Sequence, residues 1–321
     1  MSGLPVRPPE LLTPWLNTEL PWQQDVFERL SSLERQEKLP HAILLTGSKG
    51  LGKSRLAASF AAGVLCKASD AEPCGSCEAC QLVGGGAHGD FRWIRPEEGK
   101  RAIGVDAIRA SVSFMQQTPG YGSHKILVVE PAEAMTTAAA NALLKTLEEP
   151  PGRALLILVS HRAGELLATI RSRCQRFNLP HPTKPAALAW LVDNTSCSAQ
   201  TAEQAYALSR AQPLTAERLI QGDDLPSIEA LTNALGGLLD KTIANQEVLV
   251  ALGGHDLDVI LEAALHSVEQ RLYSAAGAAY SRSNFHRRDQ ILDWLIASRK
   301  GVNFGRDVML PELGRLLTTE L

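Results

Sequence analysis

The sequence contains no apolar run that approaches the ~20 residues a helix needs to cross a bilayer. Residues 1–10 also lack the apolar centre that a secretory leader carries between a basic start and a small-residue cleavage site. Both absences argue against a membrane-spanning or secreted protein. The sequence therefore predicts a cytoplasmic location, where thiols stay reduced.

An excess of positive charge is also missing. Lys and Arg together number 32 against 35 Asp and Glu, which gives a net charge of −3 at pH 7. Without a basic field, any contact with nucleic acid is expected to be local or made through a complex. The length of 321 residues predicts two or three domains, and a hydrophobic content of 45% is ample for their cores.

A complete G-x-x-x-x-G-K-[ST] phosphate loop occupies residues 47–54. An apolar run precedes it and a helical pattern follows it, which is the order that the motif requires. In such a loop backbone N–H groups face phosphate oxygens, the lysine reaches the terminal phosphates and the final hydroxyl can ligate Mg2+. The alternative is a glycine turn at a strand-to-helix junction. The residues predicted to contact a nucleotide are Gly47, Gly50, Gly52, Lys53, Ser54 and Glu130.

The element that should supply catalytic carboxylates is incomplete. An apolar run ends in Glu130, where an Asp would position Mg2+, and Pro131 stands where a Glu would polarise the attacking water. Glu133 lies three residues further on, and a carboxylate displaced by a turn poorly suits the positioning that catalysis demands. The sequence predicts nucleotide binding with little or no hydrolysis. The alternative is a self-sufficient ATPase in which Glu130 and Glu133 together replace the missing acids.

Four of the six cysteines lie close together, directly after the phosphate-loop helix. In a cytoplasmic chain such clustering favours a metal over disulfides, and four thiolates suit a structural Zn2+ with no open position. A redox pair or free thiols are the alternatives. A zinc deaminase is excluded, because no His or Cys is followed by Glu two residues later. His88 and Asp90 are interpreted as nearby loop residues. The predicted zinc ligands are Cys66, Cys74, Cys77 and Cys80.

Short apolar runs alternate with helical segments over the first 180 residues, which predicts an α/β unit with a parallel sheet covered by helices on both faces. The runs lie at 42–46, 91–94, 126–129, 155–159 and 174–179. Prolines at 180, 182 and 185 indicate a linker to a new domain. Short helices follow to about residue 221, and the pattern from 227 to 321 is wholly helical.

Taken in order, four segments resemble the bacterial AAA+ clamp-loader subunits of the DNA polymerase III holoenzyme. They are the phosphate loop, the four-cysteine insertion, the sequence NALLKTLEEPP at 141–151 and IRSRC at 170–174. The resemblance is close over about the first 180 residues and general beyond them. The motor subunits of that family keep an Asp-Glu pair where this chain has Glu130 and Pro131. The resemblance is therefore to the subunits that do not hydrolyse ATP.

In this family the arginine of the Ser-Arg-Cys element reaches across a subunit interface to the γ-phosphate held by a neighbour. That arginine is Arg173 here. A planar, permanently charged guanidinium suits such a role. The residues alone favour a surface ion pair for Arg173, whereas the resemblance favours the trans-acting role. Ser160 stands where the family places a phosphate-sensing polar residue, with a plain strand end as the alternative.

The resemblance implies an AAA+ P-loop domain at 1–180 with a zinc module at 66–80, a small helical lid domain at 181–222, and an all-helical collar domain at 223–321. It implies a largely rigid subunit that joins the motor (tau/gamma) and delta subunits in a hetero-pentamer. That complex places the sliding clamp on primed DNA for the DNA polymerase. ATP or ADP with Mg2+ and a structural Zn2+ are the implied cofactors. A nucleotide-gated zinc scaffold outside replication is the remaining alternative.

Overall fold

A computed structural model describes residues 20–68, 71–222, 224–242, 252, 254–274, 282–299, 302 and 304–319. The chain divides into two compact units, Met1–Thr183 and Lys184–Leu321. Among the described residues, no helix has both the length and the apolar character needed to cross a membrane.

The first unit alternates strands with helices. Its elements in chain order are α1 (Gln24–Arg35), β1 (Ala42–Thr46), α2 (Lys53–Leu65), α3 (Glu78–Gly84), β2 (Phe91–Ile94), α4 (Val105–Met115), β3 (Lys125–Val129), α5 (Thr137–Glu148), β4 (Ala154–Ser160), α6 (Ala168–Arg171) and β5 (Gln175–Asn178). A 3-10 turn, Pro21–Gln23, precedes α1.

The five strands form one parallel sheet in the order β2-β3-β4-β1-β5. Every residue of β1, β3 and β4 is buried, which explains why these strands read as unbroken apolar runs. One face packs against a core that includes α2, and the other against a core that includes α4 and α5. The predicted parallel sheet with helices on both faces is confirmed.

The register brings the carboxyl ends of four strands to one edge of the sheet. Thr46 at the end of β1 lies beside Ser160 at the end of β4. Val129 at the end of β3 lies beside Leu158 of β4 and Ile94 at the end of β2. Residues that follow these strands therefore converge at this edge, the usual place for ligands in an open parallel sheet.

A buried carboxylate anchors the loop that leads into β3. Asp90 is fully buried, and Lys125 Nζ lies 2.7 Å from its Oδ1. Its carboxylate also accepts hydrogen bonds from the backbone N–H groups of Gly120, Tyr121 and Gly122. His88 accepts the Asp90 N–H at 3.0 Å through Nδ1. His88 and Asp90 are thus loop residues with local structural contacts.

The second unit is helical in its described part. Its helices are α7 (Lys184–Thr195), α8 (Ala199–Leu208), α9 (Pro213–Gln221), α10 (Leu225–Leu239), α11 (Leu257–Ser274), α12 (Arg282–Arg299) and α13 (Arg306–Thr318). An apolar core joins α10, α11, α12 and α13 through residues such as Leu235, Leu261, Ile291 and Leu313. The helical character predicted for this region is confirmed, and its division into lid and collar domains stays a prediction.

Candidate functional site

The phosphate loop wraps the N-terminus of α2 with three glycines in backbone conformations that other residues rarely adopt. Gly47, Gly50 and Gly52 have φ values of 142°, 77° and 83°. A Cβ on Gly47 would lie 3.1 Å from the Leu179 carbonyl oxygen. The helix N-terminus adds a partial positive charge to this loop, so its geometry suits a phosphate.

Lys53 lies inside the loop as a buried cation. Its Nζ donates to the carbonyl oxygens of Gly47 at 2.7 Å and Ser48 at 2.6 Å. Burial lowers the pKa of Lys53 to about 8, against the opposing charges of Glu133 and Glu130. The lysine therefore donates to two uncharged carbonyl oxygens of the loop. A bound phosphate would be a stronger acceptor for its ammonium group than these carbonyls.

The turn before α1 fixes the loop from outside. Trp22 Nε1 and Gln23 Nε2 both donate to the Leu51 carbonyl oxygen, at 3.0 Å and 2.6 Å. Ser48 Oγ lies 3.0 Å from His181 Nε2. The residue types at 20–24 do not by themselves indicate this supporting role, which follows from the structure.

Glu130 follows β3 directly and is engaged on both oxygens. Oε1 accepts a hydrogen bond from Ser54 Oγ. Oε2 accepts from Arg95 Nε at 2.9 Å and from a second nitrogen of the same guanidinium. The carboxylate that Mg2+ would need is already paired with a cation, so these residues do not fit Mg2+ in the usual way. The sequence reasoning missed Arg95, although it follows β2 at the same edge of the sheet.

Glu133, the proposed substitute base, is held against the end of β4. Its side chain is 1% exposed, and Oε1 accepts the His161 N–H at 3.0 Å. Arg162 Nε lies 3.9 Å from the same oxygen. Among the described residues, Glu133 Oε2 and His161 Nδ1 are buried without a hydrogen-bond partner. Ser160 is fully buried, and its Oγ accepts the Arg162 N–H at 3.2 Å.

Four basic side chains lie near His161. Burial, followed by the charges of Lys53, Lys49, Arg162 and Arg95, lowers the pKa of His161 to about 3. His161 is therefore neutral at physiological pH. Among the nearby acids, Glu130 pairs with Arg95, and Glu133 and Glu165 lie beside Arg162. Four cations against three acids leave a positive balance, which suits an anionic ligand.

Arg173 lies between α6 and β5, where it makes an exposed ion pair. Its guanidinium is 2.6 Å from Glu148 Oε1 at the end of α5 and donates to the Thr169 carbonyl oxygen at 3.0 Å. The side chains of Arg173 and Glu148 are 35% and 51% exposed. The pairing matches the surface interpretation of Arg173.

The four clustered cysteines converge on a common centre. Their Sγ atoms all lie within 4.8 Å of one another. The Cys66–Cys77 and Cys74–Cys80 sulfur distances are 3.8 Å and 4.0 Å. A tetrahedral ion with metal–sulfur bonds of about 2.3 Å would place its sulfurs about 3.8 Å apart. The spacing of the donor atoms therefore fits a Zn2+ ion.

Hydrogen bonds to the sulfurs favour their ionised form. The N–H groups of Cys77 and Cys80 donate to the sulfurs of Cys74 and Cys77, at 3.3 Å and 3.5 Å. The Cys77 N–H and the Ser76 hydroxyl lower the pKa of the Cys74 thiol to about 6. Burial raises the pKa of Cys80 to about 12, so that thiol ionises only beside a positive partner. The donor set fits a thiophilic cation, and His88 and Asp90 do not belong to it.

Comparison with known proteins gives consistent similarities. A sequence model for the family described as DNA polymerase III, delta subunit, matches residues 22–183. Over 201 residues the chain is 44% identical to the DNA polymerase III subunit delta′ of Pseudomonas aeruginosa, covering 62% of this chain and 60% of that protein. The Escherichia coli delta′ subunit is 36% identical over 216 residues, 67% of this chain and 65% of that protein. The chain thus matches about three fifths to two thirds of the length of these relatives.

One further relative and one solved structure extend these matches. The delta′ subunit of Yersinia pestis is 34% identical over 233 residues, with 69% of this chain and 67% of that protein covered. A gamma subunit-related protein of DNA polymerase III from Thermotoga maritima superimposes with a TM-score of 0.50 at 19% identity. That superposition covers 91% of this chain and 99% of the other. At this identity the superposition shows a shared fold alone.

The matched family region, 22–183, contains the phosphate loop, Glu130, the cysteine cluster and Arg173. It accounts for about half of the chain, and the delta′ relatives agree with it at 34–44% identity. The chain therefore belongs to the DNA polymerase III delta prime family.

Proposed function

We propose that this chain is a clamp-loader subunit that binds nucleotide with little or no hydrolysis and acts on the ATP of a neighbouring subunit. Its partners would be motor (tau/gamma) and delta subunits, and through that complex the sliding clamp and primed DNA. One observation carries the proposal. A complete phosphate loop lies beside Glu130, whose carboxylate is bonded to Arg95 and Ser54 and which is followed by Pro131.

Nucleotide binding is supported by the loop, and turnover is not. Gly47, Gly50, Gly52, Lys53 and Ser54 provide the backbone amides, ammonium and hydroxyl that phosphates require. Hydrolysis also needs a carboxylate that orients the attacking water. Pro131 has no carboxylate, so the expected contribution of this site is binding and support of the interface.

The second candidate is a self-sufficient ATPase, and Glu133 favours it. Glu133 Oε2 is buried near the loop and, among the described residues, lacks a hydrogen-bond partner. A turnover assay on the isolated chain separates the two candidates. Background hydrolysis supports the first. A rate near ~1 per second that Glu133→Gln abolishes supports the second.

Arg173 would act in trans. Its own site lacks the water-orienting acid, so an effect of this arginine on hydrolysis has to reach nucleotide held elsewhere. The exposed pair with Glu148 would hold the side chain extended until another subunit presents a phosphate. A phosphate carries more charge than one carboxylate and can receive the guanidinium fork.

Cys66, Cys74, Cys77 and Cys80 would hold a structural Zn2+. With four sulfur ligands the ion would have no open coordination position. It would therefore cross-link the chain and take no part in catalysis. Cys66 ends α2, the phosphate-loop helix, and Cys77 caps α3 by accepting the Cys80 N–H. The ion would tie these two helices to the segment between them.

The domain assignment belongs to the same proposal. The first 180 residues would be the P-loop domain, 181–222 the lid and 223–321 the collar that joins the subunits. Assembly provides the test. Mixed with motor and delta subunits, the chain should co-elute as one stoichiometric complex in size-exclusion chromatography. A chain that elutes alone from such mixtures would favour a scaffold outside replication.

A further inference from the structure

A cation already pairs with Glu130, the carboxylate that stands where a P-loop site has its Mg2+-positioning acid. Arg95 follows β2 and pairs with Glu130 through two guanidinium nitrogens. The Arg95 side chain is 33% exposed and that of Glu130 is 5% exposed. The carboxylate of the pair is therefore shielded from water, and removing Arg95 would leave that buried charge without its cation, which is costly.

The remaining oxygen of Glu130 is occupied as well. Oε1 accepts from Ser54, the hydroxyl that would ligate Mg2+. Mg2+ requires a nearly octahedral shell, usually with several waters and one or two carboxylates. To bind here in the usual way, Mg2+ would have to displace Arg95 from Glu130 and leave a partly buried guanidinium without its partner. The residues present disfavour that exchange.

The surrounding charges already match a polyphosphate. Lys49, Lys53, Arg95 and Arg162 lie near His161 and lower its pKa, after the larger effect of burial. Glu130 and Glu133 are the buried acids that oppose them, and the partly exposed Glu165 pairs with Arg162 at 2.9 Å. The excess of positive charge, together with the N-terminus of α2, can offset phosphate charge without a divalent cation.

We propose that this chain binds the polyphosphate of a nucleoside di- or triphosphate without Mg2+, and that Arg95 supplies the positive charge that Mg2+ supplies in a complete P-loop site. The inference rests on the nucleotide binding proposed above. Arg95 is fixed by Glu130 at the carboxyl edge of the sheet, so its guanidinium is positioned before the ligand arrives. Lys53 would leave the carbonyls of Gly47 and Ser48 for the phosphates.

The test is calorimetric titration of the full-length chain with ATP and with ADP, in Mg2+-free buffer and in excess Mg2+. No chelator is used, so that the cysteine cluster keeps any metal, and residual Mg2+ is checked by elemental analysis. The wild-type Kd should change by less than about threefold between the two buffers. Arg95→Ala should weaken Mg2+-free binding by about tenfold or more, the usual effect of losing a charged hydrogen bond. Added Mg2+ should restore part of that loss.

Two matched variants keep the result interpretable. Arg95→Lys retains the charge but loses the guanidinium fork, and should fall between wild type and Arg95→Ala. Arg109→Ala removes an exposed arginine of α4 that pairs with Asp106, and should bind as wild type does. The wild-type comparison needs no variant and remains decisive if Arg95→Ala fails to fold.

The outcomes distinguish nucleotide binding itself from Mg2+-independent binding through Arg95. Wild-type binding that strengthens tenfold or more when Mg2+ is added would overturn the role of Arg95 and leave nucleotide binding intact. An Arg95→Ala chain that folds and binds like wild type without Mg2+ would do the same. No binding in either buffer would overturn nucleotide binding itself, and this inference with it.

Discussion

At the scale of single residues, the site is defined by charges that are paired within the chain. Lys53 is bonded to loop carbonyls, Glu130 to Ser54 and Arg95, and Arg173 to Glu148. Loss of a partner costs more in the buried pair than in the exposed pair. Glu130 lies in a mostly dry site, where losing a partner is costly, whereas Arg173 and Glu148 remain in contact with water.

The exposed pair predicts a small effect of Arg173 on stability. Arg173→Ala should change the free energy of unfolding by about 1 kcal/mol or less, because solvent screens an ion pair of this exposure. Urea denaturation of the isolated chain measures it. A much larger loss would mean that Arg173 supports the fold, and would weaken its use as a probe of trans action.

Lys53 predicts a pH dependence of nucleotide binding. Because burial lowers its pKa to about 8, the free pocket loses this charge as the pH rises through 8, whereas bound phosphate favours the charged form. Affinity for ATP should therefore fall between pH 7.5 and 9.5, by up to about tenfold per unit above pH 8. Calorimetry near pH 8 in buffers of different ionisation enthalpy should show proton uptake. Residual binding by Lys53→Arg, which stays charged, should show no such dependence.

At the scale of helices and strands, much of the first unit follows from the sequence pattern. The predicted runs at 42–46 and 91–94 coincide with β1 and β2, because strands of a covered parallel sheet are apolar on both faces. The ends of helices such as α4, which stops at Met115, follow less closely from the sequence because helix ends are weakly encoded.

Side-chain contacts between different helices and strands could not be predicted from the sequence pattern. Arg95 and Glu130 are 35 residues apart, and only the register of β2 against β3 brings them together. The contacts of Trp22 and Gln23 with Leu51 depend on where the turn before α1 packs. The cysteines were accessible to sequence reasoning, because C-x-x-C spacing itself limits how far apart the sulfurs can lie.

The cysteine cluster predicts that metal stabilises the segment between α2 and β2. Protein prepared without chelator should contain one zinc per chain, and removing it should lower the melting temperature by ~5 °C or more, since about 2–4 °C corresponds to 1 kcal/mol in a unit of this size. Cys77→Ser should reproduce the loss. Cys197→Ser, which changes a half-buried cysteine outside the cluster, is the matched control. Well under one zinc per chain, or a disulfide within the cluster, would contradict the assignment.

At the scale of the whole molecule, a phosphate loop and an exposed arginine occur in one AAA+ unit followed by a helical unit. A chain that used both the loop and the arginine to hydrolyse its own nucleotide would need a complete hydrolytic site. In this chain the residue after Glu130 is Pro131, so its loop and its arginine are proposed to serve different nucleotides. The arginine is proposed to act on the nucleotide of a neighbour.

The most direct test of this account reconstitutes motor, delta and variant chains and measures the ATPase stimulated by primed DNA and clamp. Arg173→Ala should assemble normally and lower that rate, by less than the roughly thousandfold of a single-site enzyme because other motor interfaces remain. Lys53→Ala and Arg171→Ala, the latter changing an exposed arginine two residues earlier, should leave the rate near wild type. Normal assembly with an unchanged rate for Arg173→Ala, or a loss with Lys53→Ala as large as that with Arg173→Ala, would contradict trans action by a non-hydrolysing subunit.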